Sequence, residues 1–358
     1  MNEALKLLSL MVSREADAAL IISNENRRYF TGFVSSLGYL LVTKEEAYLL
    51  VDFRYAQAAR EQASGCEVIS YTSLSESLGE LIGSAGAKSI MLEGSAFTLN
   101  EAERIDSILG KYGAESIKGS GLDKIISKMR IVKTSSETEK IMKAQRITEK
   151  ALADTLKLVR EGVREKDIAL ELEYLMRRGG ADGISFDLIV ISGEKTSMPH
   201  GVPGDRTFRR GDFITFDIGA TYKGYHSDMT RTYALGEVNQ KQKRVYATVL
   251  DAQKRALEAV HGGALCSEVD TAARDHIYQA GYEGFFGHST GHGVGLEIHE
   301  APFVSSKSDT ILQSGMVITI EPGIYIPGEF GVRIEDMVVV TGDGYINLAA
   351  ASKELTIL

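Results

Sequence analysis

Cysteine is scarce. Cys66 and Cys266 lie far apart in the 358-residue chain, which excludes a disulfide framework. Long apolar runs are absent as well: no stretch approaches the roughly 18 apolar residues of a membrane-spanning helix. Positive charge is in deficit, with 40 Lys and Arg against 49 Asp and Glu. A net charge of −9 argues against nucleic acid or an anionic membrane as a main partner. A phosphate-binding loop is missing too, because "GSAGAKS" lacks the required glycine–lysine spacing. The opening "MNEALKLLSLMVSREADAAL" mixes charged and apolar residues as an amphipathic helix does, rather than as a secretion signal. A cytoplasmic location is the expectation.

What is present is ordinary globular material, 44% hydrophobic and 25% charged, in a length that suits two domains. Over the first 130 residues, "GYLLVT", "AYLLVD", "CEVISY" and "SIMLEG" read as strands. They alternate with helical patterns such as "TLNEAERIDSILGKY", which predicts an α/β domain over residues 1–130. At "RIVKTSSETEK" the character changes, and Ser136 with Glu139 fits a helix capping box. Residues 131–358 then read as an α+β domain whose strands carry acids where apolar residues belong.

Those acids come in pairs. A hairpin turn at Tyr222-Lys223 sets Asp217 opposite Asp228, and a turn centred on Gly328 sets Glu321 opposite Glu335. Four carboxylates in one pocket repel one another unless cations neutralise them. "GHSTGHGVGLEIHEAP" adds His288, His292 and His299 among glycines that allow close backbone approach. Oxygen-rich ligation with one imidazole and no thiolate suits two catalytic divalent ions, manganese or cobalt before zinc or iron. Arg333 shares a strand face with Glu335 and is placed to steady a ligand carboxylate. His226 reads as a polar residue at the pocket rim, and His261 and His276 as structural.

The blocks "FDIGATYKGYHSDMTRT", "STGHGVGLEIHE", "TIEPGIY" and "VRIED" resemble the signatures of the pita-bread metallopeptidases, which include methionine aminopeptidase, aminopeptidase P and prolidase. The resemblance spans about residues 135–358, and the preceding domain is similar to that of the proline-directed branch. It implies that Asp217 holds one metal, that His292 and Glu321 hold the other, and that Asp228 and Glu335 bridge both. Glu321, or its pair partner Glu335 across the site, would then shuttle a proton, His299 and His200 (in "SMPHG") would face the substrate carbonyl, and His288 would line the pocket. A proline-containing peptide is the implied substrate and a homodimer the implied assembly. Some prolidases place an arginine four residues after the histidine of the "HE" pair to bind a dipeptide's carboxylate. Phe303 stands there in this chain, which tilts the expectation toward an Xaa-Pro aminopeptidase, with an Xaa-Pro dipeptidase as the alternative. A metal-free hydrolase of the creatinase type, or a non-catalytic binding protein, would lack part of the ligand set that is complete here.

Overall fold

A computed structural model describes residues 1–358, which divide into two compact units, Met1–Arg130 and Ile131–Leu358. No helix is long and apolar enough to cross a membrane.

The first unit is a six-stranded sheet in the order Glu67–Ser70, Ala47–Val51, Tyr39–Val42, Ala18–Ile21, Ser89–Leu92, Glu115–Ile117. Tyr39–Val42 runs antiparallel to both neighbours and the remaining pairings are parallel. Side chains alternate between two cores, as the pleat requires. Ala19 and Ile21 face Leu5, Leu8, Phe30 and Leu122, while Ala18 and Leu20 face Leu78, Ile82, Ile105 and Leu109. Burial on both faces explains why these strands read as unbroken apolar runs. The short strand Glu115–Ile117 and the helix Gly121–Arg130 escape the sequence reading; the strand has three residues, exposed or only partly buried, too few to show a period.

The second unit is antiparallel throughout its sheets. Helices Ser135–Thr155 and Glu165–Arg178 pack on the sheet of Ile189–Ser192, Phe213–Ile218 and Met229–Ala234 around one core. Helices Gln240–Glu258 and Cys266–Ile277 pack on strands of the Gly291–Asn347 region around another. The first of these helices starts two residues earlier than its sequence suggests: Thr134, not Ser136, is the N-cap, in a capping box with Glu137. Both threonine and serine fit the motif, and the choice falls to the residue whose backbone is still extended.

Candidate metal centre

The carboxylates of the second unit are set by hairpins, and one register differs from expectation. Lys223 (φ 49°) and Gly224 (φ 76°) form the turn, so Tyr222 pairs with Tyr225 and Asp217 with Thr230. Asp228 therefore lies diagonal to Asp217 rather than directly opposite. The shift is two residues, which keeps both on one face of the sheet. Lys223 takes the left-handed conformation that a two-residue hairpin turn demands and that Tyr222 would have had to adopt instead. The second hairpin keeps the expected register. Gly323↔Arg333 on one side and Ile320↔Asp336 on the other bracket Glu321 opposite Glu335.

A cavity of about 570 Å³ gathers Asp217, Asp228, His292, Glu321 and Glu335 together with His200, His288, His299 and Arg333. His226 is not part of its wall, nor are Tyr225 and Phe286, which are buried in the core. Phe186 and Phe303 supply its aromatic surface. Ligand-type atoms of Asp228, His292 and Glu335 lie within 4.8 Å of one another. His292 Nε2 stands 3.3 Å from Glu321 Oε1 and 3.6 Å from Asp228 Oδ2. Its Nδ1 faces the Gly293 carbonyl at 3.1 Å, which fixes the tautomer that leaves Nε2 for ligation. Close approach here needs Gly291, where a Cβ would fall 1.9 Å from the Thr319 carbonyl oxygen.

Arg333 organises the acids. It is buried, pairs with the Asp217 carboxylate, and donates from Nε to Thr230 Oγ1 at 3.1 Å and from Nη1 to Tyr325 OH at 2.8 Å. The Thr230 hydroxyl in turn donates to Glu335 Oε2 at 2.8 Å, so one guanidinium steadies two carboxylates, one of them through threonine. Tyr325 OH also meets His288 Nε2 at 2.8 Å, and His288 Nδ1 meets the Ser289 carbonyl at 2.8 Å. Asp270 and Arg274 of the helix Cys266–Ile277 pin the segment that carries His288. Asp270 accepts from Thr290 N and Oγ1, and Arg274 donates to the carbonyls of Phe286 and His288. Glu165, fully buried, likewise ties down the loop bearing His200 through Ser192, Lys195 and Gly204. Thr230, Tyr325, Asp270, Arg274 and Glu165 were not singled out from sequence, because a strand threonine or a helical ion pair looks the same wherever it occurs.

Protonation follows this geometry. Burial, reinforced by the neighbouring Glu335, Asp217 and Glu321, pushes the Asp228 carboxyl well above the carboxylate range. Burial and the charges of Glu321 and Asp217 do the same to Glu335. Glu321 is buried too, but its contact with His292 outweighs that burial and holds it at about 2. Reciprocally, His292 resists the lowering effect of burial and is raised by Glu321. Burial lowers His288, and burial with the nearby His292 lowers His299, so both are neutral imidazoles near pH 7. Two buried acceptors, Asp228 Oδ1 and Glu335 Oε1, have no hydrogen-bond partner. Orphaned carboxylate oxygens beside an imidazole, in an acidic cluster that otherwise takes up protons, fit divalent cations.

Residues 139–342 match the metallopeptidase family M24. The chain belongs to that family. Residues 4–132 match the creatinase/prolidase N-terminal domain, so the architecture is a creatinase-type α/β domain followed by the pita-bread catalytic fold. The M24 chain is 40% identical over 358 residues to the Xaa-Pro dipeptidase of Pyrococcus horikoshii, covering 99% of each. Among solved structures it is similar to an Xaa-Pro dipeptidase from Bacillus anthracis, with a TM-score of 0.94 and 40% identity over 99% of both chains. It is also similar to an X-Pro aminopeptidase from Thermotoga maritima, with a TM-score of 0.90 and 37% identity over 96% of this chain and 98% of that one. This M24 protein is a metallopeptidase; the family implies a divalent metal, and a buried cluster of Asp228, His292 and Glu335 is present in the chain.

Proposed function

We propose that the protein is an Xaa-Pro dipeptidase of the prolidase type, working with two divalent ions, manganese or cobalt in preference to zinc or iron. The observation that carries the proposal is the 40% identity to the Pyrococcus horikoshii Xaa-Pro dipeptidase along 99% of both chains. This reverses the order suggested by Phe303 alone. Phe303 is one half-exposed side chain in the cavity wall, and its apolar ring cannot bind a carboxylate. Three imidazoles outside the proposed ligand set, His200, His288 and His299, line the same cavity, and His200 and His299 are the donors left to meet a dipeptide's carboxylate or carbonyl.

In this reading Asp217, Asp228, His292, Glu321 and Glu335 would hold the ions. The bound ions would supply a Lewis acid and lower the pKa of water at the site. Glu321 takes the proton of the attacking water and delivers it to the departing proline nitrogen. His299 and His200 donate to the carbonyl oxygen as negative charge develops on it. Arg333 holds Asp217 in place throughout. A two-fold homodimer, the commonest closed assembly of soluble chains, is part of the proposal and is tested by light scattering. So is a cytoplasmic, reducing location, in keeping with two free cysteines.

Kinetics on matched Xaa-Pro and Xaa-Pro-Yaa peptides test the assignment. The dipeptide is expected to have the higher kcat/KM. A tenfold preference for the tripeptide, about 1.4 kcal/mol of transition-state binding, would restore the aminopeptidase reading that Phe303 favours. Phe303→Arg adds a carboxylate partner at the cavity wall and is expected to lower KM for dipeptides while leaving longer peptides little changed.

A further inference from the structure

His299 differs from the other two histidines of its segment. His288 and His292 each have Nδ1 fixed by a backbone carbonyl, whereas no side-chain hydrogen bond orients His299. Its recorded contact is the His292 ring, edge to face with centroids 4.3 Å apart. The place of this imidazole must therefore come from its backbone. That backbone closes the loop between His292 and Glu300, and Glu300 pairs with Gly293 across it where the ladder register shifts.

The Glu300 side chain is what fastens the loop. Its Oε1 lies 2.8 Å from Lys133 Nζ, with the two side chains 9% and 1% exposed. Its Oε2 accepts from Glu297 N at 3.3 Å, across the loop. The carboxylate also presses on Gly295, where a Cβ would fall 2.4 Å from Oε1. Lys133 is itself immobilised. Its backbone N–H donates to the Gly315 carbonyl at 2.8 Å, and Thr134, the next residue, caps the helix Ser135–Thr155. A buried ion pair seldom repays its desolvation better than apolar residues of the same volume would, so its value here is positional.

We infer that Lys133 and Glu300 are positioning residues for the His299 imidazole, acting through the loop backbone. The inference rests on the proposal that His299 faces the substrate carbonyl. Neither residue touches the acidic cluster's ligand atoms, so metal binding is not their task.

The test is a double-mutant cycle in the metal-loaded, full-length protein with alanyl-proline as substrate. Glu300→Gln keeps the shape and removes the charge. It is expected to lower kcat roughly tenfold or more, with KM within about threefold and metal content by elemental analysis unchanged. In a His299→Ala background the same substitution is expected to change kcat less than about twofold, because the group it positions is gone. Equal losses in both backgrounds, no loss in the parent, or loss of metal from Glu300→Gln would each overturn the inference. If His299→Ala alone leaves kcat intact, the substrate-facing role of His299 fails, and the inference with it. Should Glu300→Gln fold poorly, Lys133→Met/Glu300→Gln leaves no unpaired buried cation and supports the same cycle with the same expected dependence on His299.

Discussion

Glu93 in the first unit and Glu335 in the second are both 1% exposed carboxylates at the end of a sheet strand. Glu93 accepts from Ile22 N, Ser23 N, Ser23 Oγ and Asn26 Nδ2, so its lone pairs are spent on holding the chain. Glu335 has the Thr230 hydroxyl on one oxygen and nothing on the other. The contrast recurs between two adjacent residues. Asp336 receives Arg231, Lys353, Gln253 and Asn347, and despite burial Arg231 and Lys353 keep its carboxyl low. Glu335, one residue earlier, is pushed high. Supplied with donors, a buried acid is a structural fastener; starved of them, it is a site for a cation.

Substitution should separate the two kinds of acid. Glu335→Gln is expected to lower bound metal and to reduce activity by on the order of 10³ or more, as exhaustive chelation does reversibly. Glu93→Gln should leave metal content unchanged and cost about 1–3 kcal/mol in denaturant unfolding, from donors left unmet. A Glu93→Gln protein that loses metal would erase the distinction. Next in size, His299→Ala should lower kcat by on the order of 10²–10³ with metal retained, whereas His292→Ala should lose metal. An exchange of those two phenotypes would mean that ligand and substrate histidines have been confused.

The two units should also answer pH with opposite sign. In the metal-free protein, folded Asp228 and Glu335 hold protons that the unfolded chain releases above its ordinary carboxylate range, and folded His292 holds one beyond the usual imidazole range. Through these three groups the folded state binds more protons and their contribution falls as pH rises through the raised values, while the lowered His288 and His299 contribute with the opposite sign and are fully neutral above the ordinary imidazole range. The Tm of chelated protein is expected to drop between about pH 5 and 8, with metal or the Asp228→Asn/Glu335→Gln pair flattening the slope. Asp17 in the first unit behaves the other way. Hydrogen bonds from Lys88, Lys44 and Ser89 hold its carboxyl below its usual range, so its contribution is present at neutral pH and lost on acidification. Asp17→Asn should lower Tm slightly near pH 7, and that difference should shrink progressively as pH falls below the ordinary carboxylate range; a deficit that does not shrink on acidification would show that the charge is not responsible.

Much of this was legible in the chain. Acids inside apolar strands announce themselves because nothing else explains them, and the Glu321–Glu335 pairing follows from one glycine at the hairpin centre. The Asp217–Asp228 register was missed by two residues because Lys223-Gly224 and Tyr222-Lys223 both offer turn positions. Positive φ at both turn positions favours the former, which places Gly224 at the second of them. Glu165, Asp270 and Arg274 were invisible for a different reason. Each acts on a segment 12 to 39 residues away, and no local period encodes such a contact.

The hydrogen-bonded row of Arg333, Tyr325 and His288 has a direction. A guanidinium can only donate, so Tyr325 OH receives from Arg333, passes its own hydrogen to His288 Nε2, and His288 gives its Nδ1 hydrogen to the Ser289 carbonyl. Every donor in the row points the same way, and reversing the tyrosine–histidine link would turn a bare Nδ1 lone pair toward the Ser289 carbonyl. The row is therefore a rectifier rather than a wire: it orients dipoles across the cavity but cannot return a proton along its length. With its Nε2 lone pair already taken, His288 is barred from serving as acid or base while the row is intact.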